Sequence, residues 1–269
     1  MIGIFDSGVG GMTVAKTIEH TCPQYPLIYF GDIAHSPYGC KSPQAITAYC
    51  RKNTEFLLTQ GATIIIVACN SAAATAGELL RDQYAVPIID VIAATAQKAA
   101  ITTNGRIGII GTRATIQSGV YEKQIKTINP DCQIFSKACP LLVPLIEEGW
   151  LKKRETKMIL KRYLHPLRSR QIDTLILGCT HYPLLTKLIQ QRIGKRVRLI
   201  DSSIETALHL KTFLDNSPKI TSNIMNKKMC RSPHHPKQNR FFVSDSTPPV
   251  QQLADRIFGR KINLIKTNG

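Results

Sequence analysis

The sequence predicts an α/β fold of two similar doubly wound domains with mainly parallel sheets. A pseudo-twofold axis relates them, with the active site in the cleft between. Three observations carry this. Apolar runs rich in β-branched residues alternate with helical patterns along most of the chain, as strands joined by crossover helices require. Two of those runs, IIIVAC and LILGC, end at Cys69 and Cys179, each followed at once by a small polar residue, Asn70 or Thr180. Landmarks also recur in one order at a nearly constant offset. Residues 2–5 followed by Asp6 and Ser7 are echoed by 107–110 followed by Gly111 and Thr112; Cys69 is echoed by Cys179; PIID ending at Asp90 is echoed by RLID ending at Asp201. The expected first domain is residues 1–93 plus 208–269, and the second is 94–207.

Residues 2–5 read as a strand, DSGVGG as a turn and 12–20 as a helix. A Gly-rich turn before a helix resembles an anion site. This one lacks the GxGxxG spacing and the lysine of phosphate-binding loops, so dinucleotide binding has weak support. Asp6 sits where a strand-end carboxylate faces the ligand crevice; Ser7 can equally be a cap or turn residue. Residues 27–30 form a strand, and GDIAHSPYGCKS is a loop suited to binding groups. Then come a helix at 43–60, the first cysteine strand at 62–68, a helix at 71–84, a strand at 87–91 and a helix at 92–100. In the second domain a strand at 107–110 precedes a helix at 114–128. ACPLLVPLIEEGW carries the acidic pair Glu147 and Glu148, and a basic amphipathic helix spans 152–168. The second cysteine strand follows, then 186–193 and a helix at 203–214. Residues 216–239 are polar and basic and read as an irregular insertion, ahead of a strand at 240–244 and a helix at 250–258.

Hydrophobic residues are 43% and charged residues 20% of 269, ordinary for a soluble globular chain. No apolar run approaches the roughly 20 residues that span a bilayer. MIGIFDSGVGG has neither the basic start nor the apolar core of a signal peptide. Eight cysteines without a CxxC pair argue for a reducing, cytoplasmic setting. Cys22, Cys50, Cys132 and Cys139 read as small buried hydrophobes. Cys230 lies near His234 and His235, but no second ligand pair has zinc-like spacing, so no metal is expected. The net charge of +17 is spread, with little aromatic interleaving, and reads as a solvated basic surface. Membrane association is not expected.

Two opposed thiols can form a redox pair or act as two proton-transfer groups. Redox pairs usually lie close in sequence; these do not. A two-base isomerisation fits better: one thiolate removes an α-proton from one face of an amino acid and the opposite thiol returns a proton to the other. Asp6 and His181 are candidate proton partners for the thiols.

The chain also resembles the glutamate racemases of the aspartate/glutamate racemase family. The resemblance rests on IGIFDSGVGG, YFGDIAHSPYG, VACNSA, GTRAT, ACPLLVPLIEEG, LGCTHYPLL and FFVSD, in order over nearly the whole chain. It implies cofactor-independent interconversion of L- and D-glutamate that supplies D-glutamate for peptidoglycan. It implies that Cys69 acts on D-glutamate and Cys179 on L-glutamate, assisted by Asp6, His181 and Glu147. It further implies that Asp6, Ser7, Tyr38, Gly39, Asn70, Ser71, Thr112, Thr115, Thr180 and His181 bind substrate. The family usually has Thr at Ser71 and reads GDTAR where this chain has Ile33 and His35, which bears on substrate affinity. A racemase for aspartate or a related amino acid stands as an alternative. From another class stands a nucleic-acid or gyrase-binding regulatory protein, since some glutamate racemases act on DNA gyrase. A homodimer is left open.

Overall fold

In the computed structural model, residues 1–226 and 239–267 are described. Cys230, His234 and His235 lie outside them. The chain runs β1 (Ile2–Asp6), α1 (Met12–Thr21), β2 (Leu27–Gly31), α2 (Pro43–Thr59), β3 (Ile64–Val67), α3 (Asn70–Gln83), β4 (Ile88–Asp90) and α4 (Val91–Thr102). It continues through β5 (Arg106–Gly111), α5 (Arg113–Gln117), α6 (Val120–Ile128), β6 (Gln133–Ala138), α7 (Leu142–Glu147), α8 (Arg154–Ser169), β7 (Thr174–Gly178), α9 (Thr186–Ile193) and β8 (Arg198–Asp201). It closes with α10 (Ser202–Asp215), α11 (Pro218–Asn226), β9 (Arg240–Val243), α12 (Pro248–Phe258) and β10 (Leu264–Lys266).

Two sheets form, ordered β10-β9-β2-β1-β3-β4 and β6-β5-β7-β8, with parallel pairing throughout. The shared unit explains the sequence echo. In each half the first strand lies between the second and the third, and the fourth lies beyond the third. The direction of winding reverses at β1/β3 and again at β5/β7, which opens a crevice at the carboxyl ends of those strands. Cys69 and Cys179 stand just past β3 and β7, in corresponding places. Asp90 and Asp201 match for a local reason. Each ends a strand and caps the next helix, Asp90 Oδ1 accepting from Ile92 N at 2.7 Å and Asp201 Oδ1 from Ser203 N at 2.8 Å.

β1, β3 and β7 are buried along their whole length, so they read as unbroken apolar runs. β6 is different. It is an edge strand, half exposed, and its QIFSKA has no clean alternation, so the sequence did not reveal it. Its Phe135 is instead covered by the guanidinium groups of Arg106 and Arg170, 5.4 and 5.5 Å from the ring centre. The helix expected over 114–128 is two helices. Gly119, at φ 66°, sits in the left-handed region and breaks it. Residues 218–226, expected to be irregular, form α11, whose Ile224 is buried against the first core. The rest of that basic stretch lies outside the described residues. β10 is a three-residue outer edge strand that local pattern did not signal.

The expected boundaries at 93 and 208 fall inside α4 and α10. These helices pack on each other and touch elements of both halves. Among the described residues no helix is long and apolar enough to cross a membrane.

Candidate active site

The turn after β1 and the turn after β7 interlock. Asp6, at the end of β1, accepts a hydrogen bond from Gly8 N at 2.9 Å through Oδ1 and from Thr180 Oγ1 at 3.2 Å through Oδ2. Thr13 Oγ1 points at the Thr180 carbonyl oxygen, 3.0 Å away. The glycines of DSGVGG serve this contact. A Cβ on Gly10 would collide with the His181 ring, and one on Gly11 with the Asp6 side chain. The turn that resembled an anion loop is thus a close-approach surface between the two halves.

The interlock leaves a small cavity of about 20 Å³. Cys69 and Cys179 both line it, with Ser7, Tyr38, Gly39, Asn70, Ser71, Thr112, Thr180 and His181. Asp6, Glu147 and Thr115 were expected at the site but stand behind that lining. Asp6 holds Thr180, Glu147 holds His181, and Thr115 lies 3.1 Å from Thr112 Oγ1 and 3.4 Å from Ser71 Oγ. Ser36, Pro37 and Val143 also line the cavity and were not anticipated. Ser36 and Pro37 belong to the GDIAHSPYG loop already singled out; Val143, a small apolar residue on α7, carries no signal of its own.

Each thiol has its own surroundings. Cys69 caps α3 and lies 3.5 Å from Ser7 Oγ. Burial, and then the nearby Asp6 carboxylate, push its thiol up to about 12, against the hydrogen bonds of Ser7 and the Ala72 N–H. Cys179 is followed by a 3-10 turn, Tyr182–Leu185, and α9 begins only at Thr186, so no α-helix starts at this thiol. Its Sγ instead lies 3.9 Å from His181 Nδ1, and His181 Nε2 lies 3.1 Å from Glu147 Oε1. Burial pulls the His181 imidazole down. The sulfur on one side and the Glu147 carboxylate on the other outweigh that and carry it up to about 10. Asp6 does not hydrogen-bond to Cys69. Burial raises its carboxyl, while the charge of His181 and the bonds from Gly11, Gly8 and Thr180 hold it down.

The remaining wall is hydroxyl and amide. Ser71 Oγ lies 2.8 Å from Thr112 Oγ1, a link between the halves. The hydroxyl kept at Ser71 is therefore in use. Tyr38 OH donates to Asp32 Oδ2 at 2.6 Å and accepts from Asn53 Nδ2 at 2.9 Å. His35 Nδ1 also lies 2.8 Å from Asp32 Oδ1 and its ring stacks on Tyr49, so His35 helps to anchor this loop. Asn70 Nδ2 is buried and has no partner. A buried N–H without an acceptor costs on the order of 1–3 kcal/mol, which makes it a natural donor to a bound carboxylate. Among the described residues no group of His, Cys, Asp and Glu could hold a metal ion.

Known proteins share this architecture. The Asp/Glu/hydantoin racemase family model matches residues 10–209. A glutamate racemase of Geobacter metallireducens is 42% identical over 97% of this chain and 93% of its own length. A solved glutamate racemase isoform from Bacillus anthracis superposes with a TM-score of 0.90 at 35% identity, over 99% of this chain and 97% of that one. A Francisella tularensis glutamate racemase, solved in complex with D-glutamate, gives 0.88 at 33% identity over 99% and 96%. With two thirds of its length and more matched in sequence and fold, the chain belongs to the Asp/Glu/hydantoin racemase family, alongside the glutamate racemases.

Proposed function

We propose that this chain interconverts L- and D-glutamate without a cofactor, with Cys69 and Cys179 as the two bases, and that it thereby supplies D-glutamate for peptidoglycan. The supporting observation is that both thiols line one small cavity walled by hydroxyls and an orphaned amide donor.

In the forward direction the Cys179 thiolate takes the α-proton. An S–H bond forms as the C–H bond breaks, and the electron pair moves into the carboxylate-conjugated carbanion. The Cys69 thiol then donates its proton to the opposite face. Cys179 ends as the thiol and Cys69 as the thiolate, so only a proton has changed sides. The groups around the thiols suit this direction. His181, held up to about 10, is an imidazolium at neutral pH beside Cys179, and Cys69, pushed up to about 12, keeps its proton. This state receives L-glutamate, the enantiomer on which the second cysteine acts in the family. The reverse direction needs a thiolate at Cys69, which burial and Asp6 oppose. The substrate ammonium supplies the cation missing there. Donors fixed around the cavity replace the water that the substrate carboxylates lose.

The test is racemisation in D2O with no added cofactor. L-Glutamate should gain α-deuterium as it inverts, and Cys69→Ser and Cys179→Ser should each lose on the order of 10²–10⁴ in kcat/KM. Full racemisation by a variant lacking both thiols sinks the reading. A substrate panel with aspartate decides between glutamate and its shorter homologue.

A further inference from the structure

Tyr121 lies on α6, in the second half of the molecule, and is 3% exposed. Its hydroxyl donates to Asn70 Oδ1 at 2.7 Å, on the first helix turn after Cys69 in the other half. Its ring meets the second thiol turn as well: a Cβ on Gly178, the residue before Cys179, would lie 3.4 Å from Tyr121 Cε2. One side chain therefore bonds to the helix turn after Cys69 and stands beside the residue that precedes Cys179. Other buried tyrosines near the site are engaged within a half. Tyr38 donates to Asp32, and Tyr182 donates to the Cys139 carbonyl at 3.1 Å.

A primary amide offers one acceptor oxygen and one NH2 donor, and a flip exchanges them. Tyr121 occupies the oxygen of Asn70. The NH2, 2% exposed with its residue and without a partner, is left on the cavity that Asn70 lines. Burial raises the Tyr121 phenol well above its ordinary value, so it stays protonated and keeps donating across the working pH range. A flipped Asn70 would turn its carbonyl toward an incoming carboxylate and repel it.

We propose that Tyr121 is a positioning residue for racemisation: it fixes the Asn70 amide so that Nδ2 meets the substrate carboxylate, and it does so across the two halves. The inference rests on the reading that glutamate occupies this cavity. Because the hydrogen bond joins α6 to α3, the donor is aimed only while the halves are docked, which ties substrate recognition to the closed arrangement of the two thiols.

The experiment compares wild type, Tyr121→Phe, Asn70→Ala, the double variant and Asn70→Asp, measuring KM and kcat for both enantiomers together with Tm. Tyr121→Phe keeps the ring on Gly178 and removes only the hydroxyl. Its KM should rise roughly tenfold for L- and D-glutamate, the size of one hydrogen bond, with kcat altered less than about threefold. The double variant should have a KM no higher than Asn70→Ala alone, because Tyr121 acts through Asn70. Asn70→Asp keeps the acceptor for Tyr121 but removes the donor, so its KM should rise at least as far as that of Asn70→Ala. A tyrosine that merely fills the core would lower Tm and the active fraction and leave KM alone. An unchanged KM in Tyr121→Phe, additive losses in the double variant, or an unchanged KM in Asn70→Asp overturns the proposal. If Tyr121→Phe does not fold, the Asn70→Asp measurement still decides. Wild-type enzyme inactive on glutamate would defeat the functional reading, whereas active wild type with a silent Tyr121→Phe defeats this inference alone.

Discussion

Replacing Gly10 by alanine adds one methyl group where the two halves touch. The new Cβ would overlap His181 Cε1 and Nδ1 and stand 2.7 Å from Thr180 Oγ1, against an ordinary carbon contact of about 3.5–4.0 Å. His181 cannot move aside freely. Its far nitrogen is held by Glu147 at 3.1 Å, and its near nitrogen faces Cys179 at 3.9 Å. Relief therefore requires either loss of the Glu147 contact or a shift of the β7 turn by about 1 Å away from the β1 turn. Overpacking of this kind costs about 1–3 kcal/mol of stability. The catalytic cost is larger, because a displacement of about 1 Å between reacting groups lowers rates by roughly 10²-fold. Gly3→Ala is the matched control. Its Cβ would come within 2.7 Å of Ala62 Cβ, a clash inside the first half that leaves the relation between the thiols alone. The assay is kcat/KM in both directions with Tm for each variant. Gly10→Ala should fall in kcat/KM far beyond its loss of folded protein, and Gly3→Ala should lose stability while its folded fraction keeps wild-type kcat/KM. Wild-type kcat/KM in Gly10→Ala would refute the claim that this glycine sets the distance between the halves.

Glu147→Gln removes the carboxylate that helps to hold His181 up to about 10, so the alkaline limb of L-glutamate conversion should move to lower pH by about one unit. A limb that stays in place would show that Glu147 does not act through His181. The same shift has a stability consequence. His181 is raised above its ordinary 6.5, so its contribution is complete below about 6.5 and fades as pH rises through about 10. Thermal melts of wild type should weaken over that window, and those of Glu147→Gln should weaken at lower pH. Ser71→Ala deletes the 2.8 Å link to Thr112 and should cost about 1 kcal/mol with a several-fold rise in KM; unchanged values for both would remove Ser71 from the site.

The parts of the fold legible in the sequence are those whose burial is complete. β1, β3 and β7 are enclosed by their sheets and helices, so every residue in them is under the same apolar demand and the run is unbroken. Edge strands escape that demand. β6 pairs with one strand only and has arginines over its Phe135, and β10 is too short for any period to show. Gly119 did carry a signal, as a serine–glycine pair inside a helical pattern, and it marks a true break.

Most of the cavity lining came from the resemblance to the glutamate racemases; the sequence by itself determined the two cysteines, their place at strand ends and the echo between halves. These follow from local chemistry repeated along the chain. Tertiary structure alone decided which groups meet. Thr180 reaches Asp6, Gly10 admits His181, and Tyr121 reaches Asn70, each between residues far apart in the chain. Tertiary structure also separated the lining from its support, moving Asp6, Glu147 and Thr115 behind the residues they hold. Spacing along a chain specifies what each half contributes; the distances between halves exist only once the two sheets have docked.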